Sequence, residues 1–133
     1  MYVTREADYA IRCVLYLSKE PGWIASAKEI SESMDVPRSF LAKILQRLSK
    51  KGLVTSIRGM KGGFQLAKRP KVISLLEVIE AIQGPSAISA CAIDRRICGR
   101  SRICAVHPIW VEIRKEVEKR LEREKFAKLV RGE

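Results

Sequence analysis

The sequence predicts a mainly α fold with a small β-hairpin, a winged helix-turn-helix followed by a long C-terminal dimerisation helix. Three patterns predict it. Two short amphipathic stretches are joined by a tight turn at Asp35 and Val36, and a glycine-rich hairpin pattern follows directly. Near the end of the chain, a narrow apolar stripe runs through alternating Glu, Lys and Arg. With 133 residues, 47% hydrophobic and 31% charged, the chain has the size and composition of one globular domain with one projecting helix. Such a length buries enough surface to fold without a staple.

The first helix is expected over residues 4–18, with Ala7, Ala10, Ile11, Val14 and Leu17 on one apolar face. Cys13 lies beside that face and reads as a small core residue. Glu20, Pro21 and Gly22 end the helix. Ser26 and Glu29 have capping-box spacing and open a short helix over 27–34, with Ile30 and Met34 inward. The third helix is expected over 37–50, with Pro37 at its first turn and Gly52 just past its end. Phe40, Leu41, Ile44, Leu45 and Leu48 form its expected buried face. Arg38, Ser39, Ala42, Lys43, Gln46, Arg47 and Lys50 occupy the other side, as in a recognition helix.

Residues 53–57 and 64–66 read as two strands, and the connection from Arg58 to Gly63 contains three glycines. A hairpin of this kind, with Arg58 and Lys61 near its tip, reads as a DNA-binding wing. Glycine lets the backbone approach the duplex, and a cationic tip suits the electronegative minor groove. Ser74 and Glu77 form a second capping box, opening a helix through Val78, Ile79 and Ile82 that stops at Gly84 and Pro85. After Pro108 a long helix runs to about residue 124, with Ile109, Trp110, Ile113, Val117 and Leu121 as a coiled-coil-like seam. A symmetric dimer through this helix would present two helix-turn-helix units to half-sites roughly 34–36 Å apart. Residues 125–130 read as a small element returning to the body. The expected organisation is a DNA-binding unit over 1–84, a cysteine-rich loop over 85–107, and a dimerisation helix with terminal element over 108–133.

The net charge of +11 is concentrated in one place. Between Val36 and Leu76 there are ten Lys or Arg and no Asp or Glu, and sixteen basic and fifteen acidic residues lie elsewhere. An unbroken basic block in an otherwise balanced chain points to a polyanion, and double-stranded DNA fits better than a membrane surface. No apolar run approaches the roughly 18 residues of a membrane span. The first ten residues lack an apolar signal region, so the chain is expected to be cytoplasmic. No glycine fingerprint for a nucleotide, substrate-pocket signature or spare acid–base histidine points to an enzyme or a small-molecule substrate.

The chemically unusual stretch is residues 91–107, CAIDRRICGRSRICAVH, which holds three of the four cysteines and the only histidine. The spacing is C-x6-C-x5-C-x2-H. In a reducing compartment, clustered thiols are ligands or redox sensors more often than disulfides. Thiolates favour iron–sulfur clusters and zinc. Zinc sites present paired C-x2-4-C knuckles, which this loop lacks, while its long gaps suit the larger span of a cluster. A zinc site and a cluster-free thiol switch stand as alternatives. So does a small iron–sulfur redox protein. Arg95, Arg96, Arg100 and Arg102 would stabilise a net-negative cluster, or could contact phosphate.

The wing sequence SIRGMKGGFQL at 56–66, the tail helix and the triple-cysteine loop together resemble the Rrf2 family of bacterial transcription regulators, in particular its IscR-like and NsrR-like members. The resemblance covers essentially the whole chain. It implies a winged helix dimerised by a long helix, with Cys91, Cys98 and Cys104 as cluster ligands. It also implies a fourth ligand at His107, with Asp8 on the first helix, reaching the partner subunit's cluster, as the alternative. Histidine ligation favours a 2Fe-2S over a 4Fe-4S centre. Two departures stand out: the first gap is six residues where five is usual in IscR-like members, and Ala42 occupies a position that is acidic in some relatives.

Overall fold

The structure, a computed structural model, describes residues 2–132. Met1 and Glu133, the outer bounds of the first and third expected regions, lie outside the described residues. Six helices and one hairpin follow in the order α1 (Arg5–Ser18), α2 (Ala27–Met34), α3 (Arg38–Lys50), β1 (Val54–Ile57), β2 (Gly63–Leu66), α4 (Leu75–Gln83), α5 (His107–Arg123) and α6 (Phe126–Leu129). Single-turn 3-10 helices lie at Pro70–Val72, Ala90–Ala92 and Arg95–Ile97.

Helix α1 is the hub. Thr4 caps it by accepting from the Ala7 N–H, and its inner face of Ala7, Ala10, Cys13, Val14 and Leu17 is buried. Helices α2, α3, α4 and α6 all pack on it. Burial pushes the Cys13 thiol up to about 12, so this cysteine is an inert packing residue. Ser26 and Ser74 both cap as their spacing implies, accepting from the N–H groups of Glu29 and Glu77 at 3.1 and 3.0 Å.

The turn between α2 and α3 is held from outside. Asp35 takes a left-handed φ of 53° at the end of α2. Arg12 on α1 donates to the carbonyls of Met34 and Asp35, both at 3.2 Å, which fixes the angle at which α3 leaves. Helix α3 closes in a Schellman motif: Leu53 N–H bonds to Leu48 O, Gly52 N–H to Ser49 O, and Gly52 takes φ +74°. Leu41, Ile44, Leu45 and Leu48 are buried as expected. Phe40 is not: it remains 41% exposed, its ring tilted against Tyr9 at 5.9 Å. It lies beside the buried stripe on the first turn, where only one of its faces finds a partner.

The hairpin pairs Val54 with Leu66 and Ile57 with Gly63, one residue later at its start and one earlier at its return than the sequence suggests. A third segment joins it, since Ala25 and Phe64 exchange N–H···O bonds of 2.9 and 2.8 Å. This bridge explains Gly63: a Cβ there would sit 2.3 Å from the Ala25 carbonyl oxygen. At Gly62 a Cβ would meet the Ile57 carbonyl oxygen at 2.2 Å, so the wing turn closes only around glycine.

Helix α5 begins at His107 rather than after Pro108, and none of its side chains is fully buried. Its far end is tied to the body. Ser74 donates to Glu122 at 2.9 Å, Leu75 N–H bonds to Glu124 O, and Phe126 N–H to Ile73 O. Phe126 itself is completely buried in the core.

Candidate functional site

Two regions carry the chemistry suggested by the sequence. On α3, Arg38, Ser39, Lys43, Gln46, Arg47 and Lys50 are all exposed. Spacings of three and four residues put Ser39, Lys43, Gln46 and Lys50 along one solvent-facing stripe, opposite the buried leucines. Arg58 and Lys61 are exposed on the hairpin turn, on either side of a fully exposed Met60. None of these eight residues takes part in an ion pair among the described residues. Their charges stand free for a polyanion.

The second region is the loop between α4 and α5. Gln83, at the end of α4, accepts from Thr4 N–H at 2.9 Å and donates to Tyr2 O at 3.0 Å, fastening the start of the chain beside the root of the loop. The chain then makes the 3-10 helix Ala90–Ala92, whose central residue is Cys91. Cys91 Sγ lies 3.2 Å from His107 Nδ1 and 3.3 Å from Ser89 Oγ. His107 reaches it because it is the first residue of α5. Arg114, two turns further along the helix, donates to Ala92 O at 2.8 Å. A recess of ≈ 480 Å³ opens beside this pair, lined by Cys91, Ala92, Ile93, Asp94, Arg95, His107 and Val111.

The rest of the loop has order of its own. Asp94 accepts from Arg96 through backbone and side chain, and these bonds hold its carboxyl below the usual carboxylate value. Ser101 donates to the carbonyls of Arg95 and Cys98, and Cys104 N–H bonds to Arg100 O. Cys98 is exposed and Cys104 half-buried. Cys91 and His107 are thus brought together, but no three His, Cys, Asp or Glu side chains converge as a metal site among the described residues. Asp8 is engaged elsewhere, in an ion pair with Arg12 at 3.0 Å.

Several residues that build the site are silent in the sequence. Arg12, Gln83 and Arg114 act through one or two long-range bonds each to backbone atoms, which no periodicity announces. Ala25 contributes one bridge to the wing from a segment with no strand pattern. Exposed apolar side chains, Ile93, Ile97, Ile103, Val106 and Ile109, recur through the loop and the start of α5. The isoleucines are visible in the sequence, but their exposure is not.

The profile of the Rrf2 family, described as iron-dependent transcriptional regulators, matches residues 3–132. The chain belongs to the Rrf2 family. Among its relatives is the HTH-type transcriptional regulator NsrR of Bacillus subtilis, 31% identical over 114 residues that span 84% of this chain and 78% of that protein. The fold is similar to that of CymR, the global cysteine regulator of B. subtilis, with a TM-score of 0.81 and 23% identity over 100% of this chain and 98% of that one. It is similar also to T. potens IscR, with a TM-score of 0.79 and 22% identity over 99% and 88%. As an Rrf2 protein this chain is a transcriptional regulator with a DNA-binding winged helix, and its relatives are regulators, not enzymes. Among the described residues, no helix is long and apolar enough to cross a membrane.

Proposed function

We propose that this Rrf2 protein is a homodimeric regulator whose promoter binding is controlled by an iron–sulfur cluster on Cys91, Cys98 and Cys104, with His107 as fourth ligand. The observation that carries the proposal is the Cys91–His107 contact of 3.2 Å at the junction of loop and long helix. The donor set fits the group: three thiols and an imidazole in one loop, two of the four already adjacent beside an open recess. Loading asks residues 98–104 to bring two further thiols to that pair. A cluster supplies a centre that can be gained, lost or oxidised, and a His ligand favours 2Fe-2S over 4Fe-4S. Asp8 is the less favoured fourth ligand because Arg12 already holds it.

On DNA, Ser39, Lys43, Gln46 and Arg47 of α3 enter the major groove, with Arg38 and Lys50 toward the phosphates. Arg58 and Lys61 on the wing reach phosphate or minor groove. Homodimerisation is supported by α5: Ile109 is 49% exposed, and Trp110, Ile113, Val117 and Leu121 are only half-buried. Two chains paired through that seam would set the spacing of the two recognition helices. A change at the loop, which roots α5, would alter that spacing and so the affinity. The expected division into a DNA-binding unit, a ligand loop and a dimerising tail follows the same lines, although Phe126 anchors the tail in the core of the first unit.

Anaerobic purification, an absorption spectrum and counts of iron, sulfide and zinc test the cluster. Brown colour with iron and sulfide is expected, and alanine at Cys91, Cys98 and Cys104 together should abolish it. Full iron retention in that triple variant refutes the ligand set. A second reading is a zinc-bound or cluster-free thiol regulator, and the lack of three converging donors among the described residues of the loop favours its metal-free form. A colourless protein with zinc, or with reactive thiols and no metal, selects it.

A further inference from the structure

The geometry points to Arg114 as the positioning residue that couples the cysteine loop to the long helix. It holds the carbonyl next to Cys91 and passes the state of the loop to α5 and α4. This rests on the reading of the loop as the control element.

His107 and Arg114 are seven residues apart, two helical turns, and therefore lie on the same face of α5. Both grip the same 3-10 helix. His107 meets Cys91 through its side chain, and Arg114 holds Ala92 through its carbonyl at 2.8 Å. Val111, one turn from each, lines the recess between them. This face differs from the one that carries Ile109, Ile113 and Val117. Ile109 and Ile113 are therefore turned away from the loop, whereas Leu121, seven residues after Arg114, continues the loop-facing side beyond it.

The guanidinium is placed to act as a switchable tie. Its Nη1 serves the loop, and its Nε stands 2.6 Å from Glu118 Oε1 on the next turn. Glu80 on α4 feels both groups: burial first and Glu118 second raise its carboxyl pKa, while Arg114 opposes the rise. The remaining charge at this junction is Glu122, which is bonded to Lys125 and Ser74. The side chain of Arg114 is only 23% exposed, so it has little access to water as an alternative partner. Anything bound at Cys91 that rotates the neighbouring peptide removes an acceptor from Arg114. Its charge must then settle against Glu118 and Glu80, which pulls on the α4–α5 contact. Lysine keeps the charge but carries its three donors on one nitrogen, and so cannot span the Ala92 carbonyl and Glu118 as the extended planar guanidinium does.

The test uses the full chain as wild type, Arg114→Met and Arg114→Lys. In the metal-free proteins, hydrogen exchange at the amides of Ala92, Ile93 and Asp94 should speed up roughly tenfold in both variants, because their bonds lie in the 3-10 helix that Arg114 holds. Unchanged exchange overturns the proposal whatever the cluster does. In the loaded proteins, the ratio of DNA affinities with and without cluster should collapse toward one in both variants, with iron and sulfide per chain as in wild type. A wild-type ratio retained in Arg114→Met also overturns it. Arg114→Lys separates coupling from mere charge balance, since it should keep thermal stability while losing the ratio. If wild type itself shows no cluster-dependent affinity, the cluster reading fails instead, and the exchange result alone decides whether Arg114 anchors the loop.

Discussion

His107 Nδ1 lies 3.2 Å from Cys91 Sγ, a residue sixteen positions earlier, and so closes the loop onto the first turn of α5. The contact joins a thiol and an imidazole that hydrophobic packing alone would have no reason to pair. It also makes the root of α5 sensitive to whatever Cys91 binds.

That pairing makes His107 the proposed fourth ligand, which can be tested against Asp8. His107→Ala should retain some colour after anaerobic purification but bleach in air at least about tenfold faster than wild type, since removing even a group that only supports a ligand costs about 10–100-fold in metal affinity. Asp8→Ala should bleach as wild type does, because Asp8 serves Arg12. Absorbance decay of the two variants side by side is the measurement. The opposite ranking would transfer the role to Asp8.

The wing can be tested without touching any charge. A Cβ at Gly62 would collide with the Ile57 backbone oxygen, which cannot swing aside as a side-chain tip could. Gly62→Ala should lower DNA affinity roughly tenfold, equivalent to about 1.4 kcal/mol, with the helical circular dichroism intact. Arg58→Ala with Lys61→Ala should instead reduce the slope of log affinity against log salt, by about one for each phosphate no longer neutralised. An unchanged slope in the double variant would mean that the wing tip stays off the DNA.

What could be read from the sequence divides along physical lines. Caps at Ser26 and Ser74, the Gly52 terminus of α3 and the buried face of α1 were legible because each depends on residues within one or two turns. Phe40 misled because periodicity locates a face but not its edge, and the edge position at the start of α3 stays half in water. The residues of the proposed cluster site stood out as a set, since thiols and imidazole are scarce. Their arrangement did not: it depends on where α5 starts, and Pro108 suggested a start after the proline whereas His107 already belongs to the helix. The ties from Arg12, Gln83 and Arg114 escaped because each ends on a backbone atom far along the chain.

Phe126 carries a stability prediction. Its ring is fully buried although α6 has only four residues, and the Ile73 carbonyl accepts its N–H at 3.0 Å. Phe126→Ala should destabilise the chain by about 3–5 kcal/mol, read as a lowered urea midpoint. Because this anchor also fixes the end of α5, the same variant should weaken dimerisation in sedimentation experiments. A change within about 0.5 kcal/mol would show that the terminal element docks only loosely.

The α4–α5 junction gives two carboxylates of opposite pH dependence. Burial first, and Glu118 next, raise Glu80 above the ordinary value of 4.5, with Arg114 acting against the rise. The folded chain therefore keeps this proton to higher pH than the unfolded chain does. Stability falls as pH rises through that window, and the penalty is fully present above the folded value. Glu122 behaves in reverse. Hydrogen bonds from Lys125 and Ser74 lower it, so its contribution is present above the ordinary value and lost as pH falls through the lowered one. Glu80→Gln should raise the urea midpoint at about pH 7 and Glu122→Gln should lower it, while both differences from wild type should shrink at about pH 3, as these two carboxyls take up protons. Midpoints at the two pH values decide the matter. Shifts of the same sign at neutral pH would mean that Glu80 is not held in an unfavourable setting.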